Sequence, residues 1–487
     1  MLSTPSLITR EISVKASPVT LTADPITIIV PDNYTTIQEA INNASSGATI
    51  FVRKGTYYEH LVINKTITLI GEDSNSTVID GYETDNVIHI RANNVTIKSF
   101  TVRNSGMYLY GILVDHYKGN VIINNKVIYN YEGIGLLYSS GNVVCDNTIL
   151  SNYDGIDLYY SSSNVVSGNV ILHNNFAGIS LYYSSSNVVC CNTILSNYPG
   201  IDLALLSSYN IVYHNNFNNT DQAWSESTNF WNYDDEGNFW SDYTGQDLNK
   251  NGIGDTSYDI NAANKDNNPL MGMFFNFSAT LEREAYSVTV ISNSTISGFR
   301  FQIGSETGNK IIHFNATGED GATGFCRVKI PTKLTNYPYI VLVDSEEIIP
   351  TILNVSNEAY AYLYFTYLHQ NHTVTIISSK TLALYFELLD EYLKLQKDLY
   401  NLNETYHALL ENYNILLSNY TELQITFGEL NNSYLKHLLD YSEQMQNIRN
   451  LAYIFIALTA IFMITTIYLS KRVHARITTK SKEFEGE

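Results

Sequence analysis

Two aspartates, Asp157 and Asp202, occupy the same place in a repeating sequence, each directly after a Gly-Ile pair, Gly155-Ile156 and Gly200-Ile201. On a strand in which Ile156 and Leu158 point into a core, the residue between them points outward, and so does its counterpart two units later. With Ser180 at the equivalent place in the intervening unit, the two carboxylates would stand about 9.6 Å apart at ~4.8 Å per strand. That is the upper limit of the roughly 6.5–9.5 Å at which one carboxyl group protonates a glycosidic oxygen while the other activates water. Tyr159 and Tyr182 would stack beside them as a platform for a sugar. Asp157 and Asp202 are therefore the candidate catalytic residues and, with the two tyrosines, the candidate ligand-binding set. Against catalysis, no histidine or arginine is placed by the sequence to tune either carboxylate, and a solvated polar face explains the same residues.

A second constellation suits a cation. Asp247-Leu-Asn249-Lys-Asn251-Gly252-Ile-Gly-Asp255 puts oxygen-bearing side chains at positions 1, 3, 5 and 9 of a loop with glycine at position 6. This alternation gathers hard oxygen ligands on one side of a tight turn, as calcium loops require. Asp247, Asn249, Asn251 and Asp255 are the expected ligands of a structural Ca²⁺, with Asp259 and Asp266 as the groups to complete its sphere. Position 12 is Tyr258 rather than glutamate, which argues against a sensor EF-hand.

The acidic column needs a repeating scaffold, and asparagine spacing supplies it. Asn120, Asn125 and Asn130 are followed by Asn142, Asn147, Asn152; Asn164, Asn169, Asn174; Asn187, Asn192, Asn197; then Asn210 and Asn215, a period of 22 or 23 residues. Self-similarity of this length means stacked units sharing one core. The apolar runs inside a unit, such as Thr148-Ile-Leu150 and Ile156-Asp-Leu158, are too short for helices and are bounded by Asn, Gly and Ser. Three strands and three bends per turn follow, a parallel β-helix. Asparagine at the bends would adopt the left-handed backbone, and the stacked amides would bond one another as ladders.

Residues 26–81, ITIIVPDNYTTIQEAINNASSGATIFVRKGTYYEHLVINKTITLIGEDSNSTVIDG, resemble the N-terminal cap and first coils of right-handed β-helix proteins of the pectin-lyase-like group, and the repeats resemble its NosD-type branch. The resemblance covers roughly residues 26–271. It implies a helix at 36–44 plugging the open end, an association with carbohydrate binding and sugar hydrolysis, and, through the NosD name, copper. The eleven histidines are scattered without a His-x-His or Met-rich run, so copper is not expected, nor is any organic cofactor. The hydrolase signatures of the group are absent apart from isolated Asn219-Thr220-Asp221 and Asp234-Asp235. The lyase arginine motifs and the esterase aspartate pair with its arginine are missing as well. Cys145 and Cys190 sit two coils apart, too far for a disulfide, and the four cysteines read as buried fillers.

A net charge of −20 disfavours nucleic acid as a partner. Residues 451–469 carry no charge and are long enough to cross a bilayer. Lys471, Arg472, Arg476, Lys480 and Lys482 follow, which by the positive-inside rule puts the tail in the cytoplasm and everything before the span outside. Glycosylation sequons agree, at Asn33, Asn43, Asn64, Asn75, Asn94, Asn218, Asn276, Asn293, Asn315, Asn354, Asn371, Asn403, Asn419 and Asn431, with none after the span.

Before the span, Tyr385, Tyr392, Leu399, Tyr406, Tyr413, Tyr420, Phe427 and Tyr434 are seven apart, and each of the first seven is followed three residues later by leucine. This predicts a coiled-coil stalk of about 80 Å that needs a partner helix, hence a homo-oligomer, with a single long helix as the alternative because glycans at Asn403, Asn419 and Asn431 would crowd a tight bundle. The chain is thus expected to be mainly β. It should comprise a leader remnant or linker (1–25, with the true start upstream), a capped right-handed parallel β-helix (26–229) and a Trp/Asp-rich segment with the calcium-type loop (230–271). A β-sandwich (272–380), the stalk (381–448), the transmembrane helix (451–469) and a basic cytoplasmic tail (470–487) follow. The functional expectation is a single-pass cell-surface protein that binds glycans or envelope components, with a polysaccharide hydrolase or lyase, or a copper-handling factor, as alternatives.

Overall fold

Each asparagine-marked unit forms one turn of three short strands. The computed structural model describes residues 27–416 and 421–483. The expected leader remnant, Asn419, the last four residues of the tail and the heptad side chains from Tyr406 to Leu423 lie outside the described residues. Strands from successive turns pair in parallel, without slippage, into sheets of nine, nine and eight strands. Val143, Val165, Val188 and Ile211 stack in the first sheet; Thr148, Val170 and Thr193 in the second; Ile134, Ile156, Ile179 and Ile201 in the third. β-Branched residues suit these pleated, stacked positions. Their inward members, such as Val144, Ile149 and Ile156, have no exposed surface and form one continuous core.

The asparagines form the ladders expected, and the geometry differs from the expectation in one respect. In the central column the Oδ1 of Asn147, Asn169 and Asn192 each accepts both the backbone N–H and the side-chain amide of the asparagine one turn before, at 2.9–3.1 Å. The left-handed residue is not the ladder asparagine but the one before it, among them Asp146 (φ 55°), Cys191 (φ 61°) and His214 (φ 56°). The reason is local: the ladder amide also donates to the carbonyl two residues back, as Asn147 does to Cys145 at 3.0 Å, and the left-handed residue between them folds that carbonyl into reach.

Both ends are closed. Helix α1 (Ile37–Asn43) buries Ile37, Ala40 and Ile41 against the first turns. Thr36 caps it by accepting from the Glu39 N–H, and the Glu59 carboxylate accepts from the Ile37 and Gln38 N–H groups. At the other end Trp240 stacks on Phe217 at 4.5 Å and on Tyr258 at 4.3 Å. Asp266, wholly buried, accepts from the Asn238 and Asn268 N–H groups and from Trp240 Nε1.

This first unit takes in residues up to Thr244 together with Ser257–Pro269. The second contains Gly245–Thr256 and everything from Leu270 on. Its β part is two five-stranded antiparallel sheets that share one core including Val288, Val290, Ile312, Phe314, Val328 and Leu363. Ser379 then caps helix α2 (Lys380–Leu416), its hydroxyl accepting from the Leu382 N–H, and α3 follows at Thr421–Glu483.

The heptads do not make one long rod. Leu393, Leu399 and Leu402 of α2 line a groove with Phe427, Leu430 and Tyr434 of α3, while Tyr385 and Tyr392 share another with Met445 and Ile448. That order makes the helices antiparallel. An aromatic and leucine seam needs a facing helix, and the later heptads of the same chain supply one. The helix from Phe427 to Arg472 contains an apolar window long enough to cross a membrane, and Leu451, Phe455, Leu458 and Phe462 are all exposed on it.

Candidate functional site

The third sheet presents the acidic column. Gly135, Asp157, Ser180, Asp202 and Trp224 are register partners on successive strands, with Tyr110, Glu132 and Asp154 forming a second column at the strand starts. Asp157 and Asp202 are thus two turns apart, as their spacing predicts, and all four carboxyl groups are half-buried.

Two tyrosines hold the aspartates. The Tyr110 hydroxyl donates to Asp157 Oδ2 at 3.0 Å and the Tyr182 hydroxyl to Asp202 Oδ2 at 2.9 Å. Tyr110 reaches two turns because its ring lies over Gly135, where a Cβ would collide with it. Asp154 accepts the Ala177 N–H at 2.8 Å and lies in register with Glu132 one turn before. Glu132 Oε2, Ser180 Oγ and Asp202 Oδ1 are buried without a partner, and so is Nε2 of His89, in the same column two turns before Gly135.

Protonation follows from that crowding. Burial, then the neighbouring Asp154 and Asp157 charges, raises Glu132, and burial raises Asp154. Burial pushes Asp157 up to about 6 despite the Tyr110 hydrogen bond, and raises Asp202 despite the one from Tyr182. From Val127 to Asn249 the sequence holds no lysine or arginine to offset these charges.

Aromatic rows border the strands on both sides. Before them, Tyr108, Tyr131, Tyr153 and Phe176 follow one another at 4.6, 4.8 and 5.8 Å between ring centroids. After them, His116, Tyr138, Tyr160 and Tyr183 stack at 4.8, 5.3 and 4.5 Å. Tyr138, Tyr153 and Tyr160 are exposed. The expected platform thus shifts by one residue: Tyr182 is tied to Asp202, Tyr159 meets Tyr138, Tyr160 and Tyr183 edge-on, and the stack belongs to the residues after them. Those residues take the left-handed bend, φ 50° at Tyr138, 48° at Tyr160 and 51° at Tyr183, which brings their rings into one file.

Sequence reasoning missed Tyr110, Glu132 and Asp154. A signal existed for the two acids, since each directly precedes its Gly-Ile pair, Gly133-Ile134 and Gly155-Ile156.

The calcium-type loop is brought together but closed by its own donors. Asp247 accepts from the Asn251 and Gly252 N–H groups at 3.0 and 2.8 Å. Asp255 accepts from the Leu248 N–H and the Asn249 amide. Asp266 has both oxygens committed to donors inside the solenoid end, so it does not complete a metal sphere, and Asp259 pairs with Lys265 at 3.0 Å.

Residues 41–245 match the family model described as "Periplasmic copper-binding protein (NosD)". A cell surface glycoprotein of Methanothermus fervidus is 34% identical over 97 residues, which is 19% of this chain and 16% of that protein's length. Solved structures with a similar chain path include pectin methylesterase PemA of Erwinia chrysanthemi (13% identity, 43% of this chain and 88% of that one, TM-score 0.35). Another is the A-module of mannuronan C-5 epimerase AlgE4 of Azotobacter vinelandii (16% identity, 42% and 72%, TM-score 0.32).

The description of the matched family model names copper. His89 and His116 approach Asp115 at 3.9 and 2.6 Å, yet among the described residues no group of three histidine, cysteine or acidic side chains is arranged to hold a metal. Turn geometry and family match together make residues 41–245 a NosD-type parallel β-helix.

Proposed function

We propose that the chain is a membrane-anchored cell-surface protein whose β-helix binds glycans or other envelope components on the acidic face between its two aromatic rows. One observation carries this reading: half-buried carboxyl groups with unpartnered oxygens lie between two files of stacked, partly exposed rings. Sugars offer hydroxyl donors and apolar ring faces together, which such a surface complements.

Several features support the setting. Every described sequon asparagine is exposed, whereas the ladder asparagines are buried, and no sequon falls between Asn94 and Asn218, where the acidic face lies. Glycans would then decorate the chain and leave this face bare. The matched relative is named a cell surface glycoprotein, and basic residues follow the apolar part of α3, which by charge orients the tail to the cytoplasm. Leu384, Leu395 and Leu439, outside the grooves between α2 and α3, are exposed on the helical hairpin, so a second copy would cover them and make a homo-oligomer. A structural Ca²⁺ in the loop of Asp247, Asn249, Asn251 and Asp255 belongs to the same reading.

A second reading, polysaccharide cleavage, has its own observation. Burial raises Asp157, Asp154 and Glu132 toward neutral pH, where general acids and bases exchange protons. A glycan-binding and polysaccharide-cleavage screen on the solubilised full chain, with and without Ca²⁺, separates the two. Saturable binding without new reducing ends supports the first. Cleavage products that disappear in Asp157→Asn move the assignment to the second. Neither binding nor cleavage removes both.

A further inference from the structure

The acidic face has an imbalance that goes beyond a general affinity for sugars. Its acceptors outnumber its donors: against the eight carboxyl oxygens of Glu132, Asp154, Asp157 and Asp202 stand the Tyr110, Tyr182 and Ser180 hydroxyls and the Ala177 N–H. Ser180, 1% exposed, lies in register between Asp157 and Asp202, and because its neighbours Ile179 and Leu181 fill the core its unpartnered Oγ is directed to the same face. Glu132 Oε2 and Asp202 Oδ1 are unpartnered as well. Buried polar atoms in folded proteins are overwhelmingly satisfied, so three on one face mark a place where a ligand supplies the donors.

Charge decides which donors. No lysine or arginine occurs from Val127 to Asn249, so these turns hold nothing to pair with a carboxylate-bearing sugar, and a uronate would meet only like charge. A protonated amine has three donors and no acceptor, the complement of this set.

We infer that the face between the aromatic rows selects glycans carrying free amino groups, cationic hexosamine polymers, over uronate-bearing ones. This rests on the glycan-binding reading above and specifies its ligand class.

The test measures binding of three probes of equal length to the solubilised full chain: β-1,4-glucosamine tetramer, its fully N-acetylated counterpart and tetragalacturonate. The expected result is at least about tenfold tighter binding of the free amine than of the N-acetylated probe, a preference that shrinks as salt rises, with no uronate binding. Glu132→Gln and Asp157→Asn reduce that preference, while Asp146→Asn, which removes an acid outside the two acidic columns, leaves it unchanged. Equal or tighter binding of the N-acetylated probe overturns the amine selectivity and leaves glycan binding standing. Uronate binding overturns the selectivity too, and so does an Asp146→Asn effect as large as that of Asp157→Asn. Binding of none of the three overturns the inference and the reading beneath it together.

Discussion

The same turns of the solenoid treat buried polar groups in two ways. At the corners, Asn169 accepts from the Asn147 N–H and side-chain amide, and donates to Val144 O, Ser167 O and Asn192 Oδ1, all within 2.9–3.2 Å. On the third sheet, Glu132, Ser180 and Asp202 each keep an atom without a partner, and the carboxyl groups are held away from their ordinary protonation. Satisfied polar networks fix a structure, whereas unsatisfied ones cost stability and persist where something else requires them. The corners therefore read as architecture and the acidic face as a site, and variants of each should behave in opposite ways.

The largest effect is expected at a ladder. Asn169→Ala takes the acceptor from the buried Asn147 backbone N–H and a donor from the Val144 and Ser167 carbonyls, and should lower stability by about 3 kcal/mol in urea unfolding. Asp157→Asn should do the reverse near neutral pH. Its folded pKa of about 6 lies above the ordinary carboxylate value, so the stability it contributes is present at low pH and lost as pH rises from about 4 through 6. The asparagine variant should thus gain on the order of 1–3 kcal/mol at pH 7, show no gain at pH 4, and flatten the unfolding profile between them.

A smaller change tests the link between the two aspartate holders. Tyr182→Phe removes the donor to Asp202 and should cost about 1 kcal/mol while raising the Asp202 pKa further, readable as a shift of the acid limb of the same profile. Least visible in stability should be Tyr160→Ala, within about 0.5 kcal/mol because the ring is exposed. It should nonetheless weaken glycan binding, since it interrupts the row between Tyr138 and Tyr183.

How much of this was legible in the sequence follows from how far apart the interacting residues lie. A period of 22 or 23 residues fixed turn length, core columns and ladders, because each residue there meets its own counterpart one turn on. Asp157 and Asp202 were placed in one column by the same regularity. Tyr110 could not be found that way: it acts on a different column, 47 residues later, and only the missing side chain of Gly135 lets it cross. The stacked tyrosines were misplaced by one residue because the left-handed bend after the strand, rather than strand alternation, aims them. The heptads announced a seam without saying which helix faces it, and the antiparallel pairing of α2 with α3 came only from the fold.

The most direct measurement compares Asp157→Asn with Asn169→Ala in the full chain, recording urea stability and glycan affinity at pH 7 for each. If the acidic face is the site and the ladders are architecture, Asp157→Asn loses affinity while gaining stability, and Asn169→Ala loses stability while its folded fraction binds as tightly as the parent. A destabilised Asp157→Asn that still binds with full affinity would contradict the assignment of this face as the binding site.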